Sequence, residues 1–142
     1  MYFEEFMPSL TIITGIHQVT VQEIDNFTTL SGDNNPIHTD ELYASNTAYD
    51  QRIAHGLLVA AIVSGLAVQT GLAKHLVVSR EIRWRFLGPV FIGDEIHAEI
   101  SVKDMKPIPR LGNGLVTFAM RVYKQTGELV SSGQWEAIIR SR

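Results

Sequence analysis

A long apolar segment, followed by a switch to alternating residues, constrains the fold of this 142-residue chain more than any other feature. Residues 55–72 are apolar on every side of a projected helix, as expected of a helix surrounded by protein. Apolar and polar residues then alternate in 81–86, 96–102 and 116–122, which is the period of half-buried strands. A less regular run at 129–139 predicts a further strand. The sequence therefore predicts a buried helix wrapped by a curved antiparallel sheet.

The residues before the apolar segment predict a strand and two helices. Residues 11–19 are rich in β-branched side chains and predict a strand. Thr20, followed three residues later by Glu23, forms a capping box and predicts the start of a helix. A second, short helix is predicted over 40–48, with Thr39 as its N-cap.

Composition narrows the class of protein. A chain of 142 residues, 45% of them hydrophobic, has the size of one globular domain, which we place at 1–142. The net charge of −3 offers no basic face for nucleic acid. The absence of cysteine excludes disulfides and thiolate chemistry and favours the cytoplasm. The apolar segment is too interrupted by polar residues and glycine to span a bilayer, so we expect no membrane association.

A carboxylate and an imidazole stand five residues apart around a proline. Gly32 is suited to end the first helix, so Asp33 follows directly on the helix exit. Pro36 removes a backbone donor and disfavours helix before it, so we expect a loop that lets Asp33 and His38 converge. Two such groups can exchange protons near neutral pH, as general acid–base catalysis requires. The alternative is an ordinary turn with an exposed His38.

Three segments in order carry a family resemblance. They are LSGDNNPIHTD at 30–40, RIAHGLL at 52–58 and FLGPVFIGDEI at 86–96. Together they resemble the MaoC-like, (R)-specific enoyl-CoA hydratases. The resemblance implies an α+β hotdog fold, a curved antiparallel sheet around a long central helix, and a homodimer. It also implies an acyl thioester substrate on coenzyme A or acyl carrier protein, with no cofactor and no metal.

The resemblance assigns the chemistry to one loop. In such enzymes water adds reversibly across the double bond of a trans-2-enoyl thioester. Asp33 and His38 match the catalytic pair that holds the water and supplies the proton to C2 on the same face. Which of the two takes the proton from water stays open, because a coupled pair shares its protonation states. Asn35 matches an amide that orients the water or Asp33, or it caps its own turn.

Two residues of the central helix complete the expected site. Gly56 begins the helix, where unpaired backbone N–H groups favour negative charge, so we expect it to hold the developing oxyanion; the alternative is a loop glycine. Ser64 lies about 800° of helical rotation further on and so faces a similar side. By the resemblance it contacts the catalytic loop, or else it bonds to a carbonyl of its own helix. His55 is expected to cap or flank the helix.

Two other functions remain open from the sequence. A hotdog thioesterase usually needs a carboxylate on or near the central helix, and residues 56–72 contain neither Asp nor Glu. A non-catalytic acyl-thioester binding subunit would leave Asp33, Asn35 and His38 unexplained. No spacing of acidic residues indicates a metal site. The acyl chain length and the direction of the reaction are not determined by these patterns.

Overall fold

A six-stranded antiparallel sheet curves around one long helix in the computed structural model, which describes residues 1–142. In chain order the elements are β1 (Thr11–Ile13), β2 (His17–Gln18), α1 (Val21–Ser31), α2 (Pro36–Thr39), α3 (Glu41–Ser45), α4 (Gly56–Gln69), β3 (Leu76–Phe86), β4 (Glu95–Ile108), β5 (Asn113–Lys124) and β6 (Leu129–Arg140). The strands lie in the order β1, β4, β5, β6, β3, and β2 also pairs with β4. The predicted α+β architecture is confirmed. No helix has the length and apolar character that crossing a membrane requires.

The core lies between the concave face of the sheet and one side of α4. Buried residues of β4 and β5 alternate mainly with half-buried ones, as their period of two predicts. Large side chains that are almost fully buried include Val59, Val63, Ile96, Ile100, Val116, Phe118, Val122 and Ile139. This core fixes the position of α4, and the first turn of α4 reaches the pocket described below.

Helix α1 begins and ends as predicted. The Thr20 hydroxyl accepts the backbone N–H of Glu23, and the Glu23 carboxylate accepts the backbone N–H of Thr20, so both halves of the capping box form. Gly32 ends the helix in the left-handed region, with φ of 77°. The chain therefore leaves α1 at a defined angle immediately before Asp33.

The segment after Asp33 departs from the predicted loop. Pro36 starts the single helical turn α2, because a proline at the first helical position gives up an N–H that would be unpaired anyway. The Asn35 side chain accepts a backbone N–H at 3.2 Å and caps this turn. The helix predicted over 40–48 is shorter, and Asp40 rather than Thr39 is its N-cap.

Helix α4 is not surrounded by protein, which corrects the prediction from its apolar sequence. One stripe of the helix is open to solvent, and it includes Leu57 at 64% exposure, Ala61, Ser64 and Val68 at 57% exposure. The neighbouring strand β3 is an edge strand, and Ile82 is 59% exposed on it. A helix that is apolar on every side must keep each of its faces away from water, but its sequence does not show whether its own chain or a second chain covers a given face.

A buried ion pair holds the loop between β3 and β4. The Lys124 ammonium lies 3.3 Å from a carboxylate oxygen of Asp94 and donates to the Pro89 carbonyl at 3.1 Å. Burial by itself raises the pKa of Asp94, but hydrogen bonds from Gln125 and the Phe91 N–H, with the charge of Lys124, outweigh it and lower the pKa. The loop is thereby fixed as one wall of the pocket.

Candidate active site

The ends of α1, α2 and α4 meet at a cavity of about 450 Å³. Asp33 and His38 both line it, so the structure brings together the two groups that the sequence predicts to converge. A carboxylate oxygen of Asp33 and one ring nitrogen each of His38 and His55 lie within 4.8 Å of one another. Apolar walls complete the cavity, among them Ile53, Leu57, Val59, Phe86, Leu87 and Val90. A polar, proton-exchanging end and apolar walls suit a substrate with an uncharged chain.

The hydrogen bond to Ile53 determines which nitrogen of His38 can act as a base. Nδ1 of His38 lies 2.8 Å from the backbone carbonyl oxygen of Ile53. A carbonyl only accepts, so Nδ1 carries the proton and donates it to this bond. In the neutral ring Nε2 then has a free lone pair. His38 is therefore oriented to accept a proton at Nε2.

Arg52 ties the turn that carries His38 to the first helix. Its Nε donates to the backbone carbonyl of His38 at 2.6 Å, and its Nη2 donates to the carboxylate of Asp25 in α1 at 2.8 Å. The guanidinium is mostly buried, with its side chain 11% exposed. This bridge fixes α2 against α1, and so fixes the ring of His38 relative to the helix exit at Asp33.

Asn35 lies outside the cavity lining and acts on the backbone of the loop. Its side-chain oxygen caps α2, and its own backbone N–H donates to the Asp33 carboxylate at 3.4 Å. The structure thus shows the capping alternative that the sequence left open. Asn35 shapes the turn between the two acid–base groups.

Gly56 lines the cavity as the first residue of α4. The backbone N–H groups of a first helical turn have no partner within the helix, and the helix dipole favours negative charge there. The Phe86 ring packs so closely on Gly56 that a Cβ built on Gly56 would overlap it. Phe86 therefore explains, independently of any ligand, why this position suits glycine.

The structure does not bring Ser64 into this cavity. Ser64 lines a second, mainly apolar cavity of about 330 Å³, and its hydroxyl donates to the carbonyl of Ala61 at 2.7 Å. Its rotation around the helix does match that of Gly56. Eight residues at a rise of 1.5 Å, however, place it about 12 Å further along the axis. Of the two alternatives that the sequence left open, the structure shows the bond to a carbonyl of the helix that carries Ser64.

His55 is the residue of the site that sequence reasoning passed over. It occupies the N-cap of α4 but makes no side-chain capping bond. Instead the residue is 2% exposed, its Nε2 lies 3.0 Å from the Asp33 carbonyl oxygen, and its ring stacks on the His38 ring with the centroids 3.9 Å apart. Burial lowers the pKa of His55, although the bond to Asp33 acts in the opposite direction. Its place directly before the apolar helix was the available signal.

The cluster of three groups suits proton transfer better than metal binding. His55 turns Nε2 toward a backbone carbonyl, and its Nδ1 is buried without a hydrogen-bond partner. Because Nδ1 of His38 is also engaged, the ligand atoms free in the cavity are Nε2 of His38 and the Asp33 carboxylate. Catalytic zinc sites usually have three protein ligands. The two free ligand atoms are therefore too few for such a zinc site.

A curved antiparallel sheet around one long helix defines the class of protein as a hotdog protein, and a carboxylate and two imidazoles line a cavity beside the first turn of that helix. The chain belongs to the family of the MaoC-like domain, whose model matches residues 13–122. It is 34% identical over 122 residues to an (R)-specific enoyl-CoA hydratase of Aeromonas caviae, and the match covers 83% of each chain. Curated relatives include hydratases and dehydratases.

Solved structures support the same placement. A protein of Archaeoglobus fulgidus described as a monoamine oxidase regulatory protein superposes with a TM-score of 0.92 at 34% identity, over 100% of this chain and 95% of that one. A conserved hypothetical protein of Mycobacterium tuberculosis, described as having a double hotdog fold, matches with a TM-score of 0.89 at 17% identity, over 100% of this chain and 44% of that one. The second likeness shows the fold alone, and that fold is the hotdog fold.

Burial of His55 predicts a pH-dependent stability. Since its pKa is lowered in the folded protein, the unfolded chain takes up a proton near the ordinary value of 6.5 while the folded chain does not. We therefore expect the free energy of unfolding to fall as the pH drops through 6.5, as urea titrations on either side of that pH would measure. His55→Gln should show a weaker pH dependence. His75, whose pKa is also lowered, contributes to both proteins and cancels. Equal pH dependence in the two proteins would contradict this expectation.

Proposed function

We propose that the protein catalyses the reversible hydration of a trans-2-enoyl thioester to the (R)-3-hydroxyacyl thioester, with coenzyme A or acyl carrier protein as the carrier. The observation that carries the proposal is the pair of Asp33 and His38 on one cavity, with the first turn of α4 beside them. The hydratases and dehydratases among its relatives support it. A cytoplasmic location, favoured by the lack of cysteine, goes with this proposal.

The pair handles both protons of the reaction. Water held between the Asp33 carboxylate and Nε2 of His38 attacks C3, so that the C3–O bond forms and the water O–H bond breaks. The pair takes up that proton and delivers one proton to C2 on the same face. It thus ends with as many protons as it began with, and the carbon–carbon double bond becomes single. A contribution of about 10²–10⁴-fold in rate is typical of such groups.

The thioester oxygen gains negative charge while the C3–O bond forms. In the proposal the backbone N–H of Gly56 donates to this oxygen, with support from the dipole of α4. Gly56 lines the same cavity as Asp33 and His38. Asn35 supports the catalytic turn as its cap, and Ser64 takes no part at the reacting carbons.

A thioesterase is disfavoured by the contents of the cavity. Its lining contains no carboxylate other than Asp33, and α4 has no acidic residue to activate water at the carbonyl carbon. A binding subunit without activity would have no use for a histidine oriented with a free Nε2. Both alternatives make different predictions in one assay.

The test is the ultraviolet absorbance of the enoyl thioester, followed with crotonyl-CoA and with longer trans-2-enoyl-CoA substrates. We expect the absorbance to fall with no release of free coenzyme A, which a thiol reagent would detect. Thiol release at the same rate would indicate a thioesterase. No change with any chain length on either carrier would contradict the proposed function.

The proposal includes a homodimer, because one apolar surface is left uncovered. The exposed stripe of α4 and the edge strand β3 adjoin each other, and their exposed apolar side chains include Leu57, Val68, Val77, Val78, Ile82 and Phe86. Edge strands of this kind are normally covered or paired. A second copy pairing along β3 would continue the sheet and cover the α4 stripe in both chains.

We expect sedimentation to show a dimer at micromolar concentration and Ile82→Lys to give a monomer, because the substitution places a charge in the proposed interface. Leu111→Lys is the matched control, because Leu111 is 64% exposed, close to the 59% of Ile82, but lies outside α4 and β3. The dimer should persist in this variant. A wild-type protein that is monomeric and active at that concentration would contradict the homodimer.

A further inference from the structure

The hydrogen bonds around His55 determine the protonation of its ring. Its Nε2 lies 3.0 Å from the Asp33 carbonyl oxygen and 3.3 Å from the Thr28 hydroxyl. Thr28 donates its own proton to the carbonyl of Ile24 at 2.9 Å. Both neighbours of Nε2 are therefore acceptors, so Nε2 carries a proton.

The other ring nitrogen keeps His55 neutral. Its Nδ1 is buried and has no hydrogen-bond partner. A second proton there would create a buried N–H, and a charge, with no acceptor to satisfy it. The ionisable groups that face the ring are Asp33, His38 and Arg52. Among them only Asp33 favours a charged ring, and burial outweighs its effect on the pKa of His55. His55 is thus neutral and donates a hydrogen bond from Nε2 only.

The ring also restrains His38. The two imidazoles stack with their centroids 3.9 Å apart and their planes 29° from parallel. The Phe27 ring also packs against the His55 ring, with the two centroids 4.9 Å apart. A positive charge on His55 would oppose a proton on His38 at this distance. A neutral His55 orients the His38 ring without hindering its acceptance of a proton.

We propose that His55 is a positioning residue of the active site, which fixes Asp33 relative to His38 by donating to the Asp33 backbone and stacking on the His38 ring. The inference rests on the proposed function for its kinetic consequence. In this inference His55 acts through Asp33 and His38 and takes no proton from the substrate. Misplacement of a catalytic group by about 1 Å costs up to about 100-fold in rate, so the loss of either contact should be visible in kcat.

Two substitutions separate the two contacts. His55→Phe keeps a ring to stack on His38 but has no donor, whereas His55→Gln keeps an amide donor near the position of Nε2 and has no ring. With crotonyl-CoA we expect kcat to fall about 10- to 100-fold in His55→Phe and less in His55→Gln, while KM changes less than about threefold in both. His75→Phe is the matched control, because His75 also stacks on an aromatic ring, that of Tyr2, but lies outside the cavity.

Circular dichroism and the melting temperature of each variant show whether it is folded, so that a change in kcat can be separated from a loss of folding. A purely structural role would lower the melting temperature and leave kcat of the folded fraction unchanged, and that would overturn the inference. Wild-type kcat in folded His55→Phe would do the same. We expect His75→Phe to keep wild-type kcat.

A second measurement needs neither a variant nor activity. Long-range ¹H–¹⁵N correlation spectra of the histidine-labelled wild type report which ring nitrogen carries the proton. At pH 6.5, the ordinary histidine pKa, we expect the His55 ring to be mainly neutral with its proton on Nε2. A proton on Nδ1, or a charged ring at pH 6.5, would overturn the inference. An inactive wild type that passes this test would instead overturn the proposed function.

Discussion

Asp33→Asn is expected to lower kcat for the hydration of crotonyl-CoA by about 10²–10⁴-fold, and His38→Gln by a similar factor. Asparagine keeps the shape of Asp33 but cannot take up a proton, and glutamine keeps a polar group in place of His38 without a basic nitrogen. Both residues lie on the cavity and neither belongs to the core, so the melting temperature should change little. Initial rates at saturating substrate provide the measurement.

The double variant and a control make this prediction specific. Since the two groups act as one unit, Asp33→Asn combined with His38→Gln should be little slower than either single variant. Asp40→Asn is the matched control, because Asp40 caps α3 outside the cavity and asparagine caps equally well, so kcat should stay within about threefold. A folded single variant with near-wild-type kcat would remove that residue from the mechanism.

The second large effect concerns the first residue of α4. Gly56→Ala is expected to lower kcat about 10²-fold, since a methyl group at this position obstructs the approach of the thioester oxygen to the backbone N–H. The φ of Gly56 is not positive, so alanine fits the backbone and the helix should form. Rates with crotonyl-CoA, with the melting temperature measured alongside, test the prediction.

Phe86 supplies the control for Gly56. The added methyl overlaps the Phe86 ring, so a slow Gly56→Ala variant has two explanations. Gly56→Ala in a Phe86→Ala background distinguishes them, because the overlap is gone and the obstruction of the N–H remains. We expect the double variant to be as slow as Gly56→Ala alone. Recovery to the rate of Phe86→Ala would place the effect in the ring and leave the oxyanion role of Gly56 without support.

Local rules predicted the parts of the fold in which neighbouring residues decide the outcome. The capping box at Thr20 and the left-handed exit at Gly32 depend on contacts within a few residues, and both are as predicted. The strands with a clear period of two were also predicted correctly. Pro36 was harder, because proline excludes a helix before it but equally suits the first position of one.

The exposure of α4 and β3 could not be predicted from one chain's pattern. An apolar residue avoids water in the same way whether its own chain or a second copy covers it. Leu57 and Ile82 therefore look like core residues in the sequence and lie open in the single chain. The uncovered apolar area in turn motivates the proposed homodimer.

The meeting of residues at the cavity was predicted where they are close in sequence and missed where they are distant. Asp33 and His38 converge because five residues and a turn connect them. Ser64 shares a rotation with Gly56 but not a height along the axis, so it lies by another cavity. His55 reaches Asp33 across 22 positions of sequence, and only the packing of α4 against the exit of α1 reveals that contact.

Hydration of crotonyl-CoA in deuterium oxide shows whether one pair, on one side of the substrate, handles both the water at C3 and the proton at C2. Chiral analysis identifies the configuration at C3, and the vicinal proton coupling of the product gives the face on which deuterium entered at C2. We predict the (R)-3-hydroxy product with deuterium and hydroxyl added to the same face. An (S) product, or addition to opposite faces, would exclude the proposed mechanism.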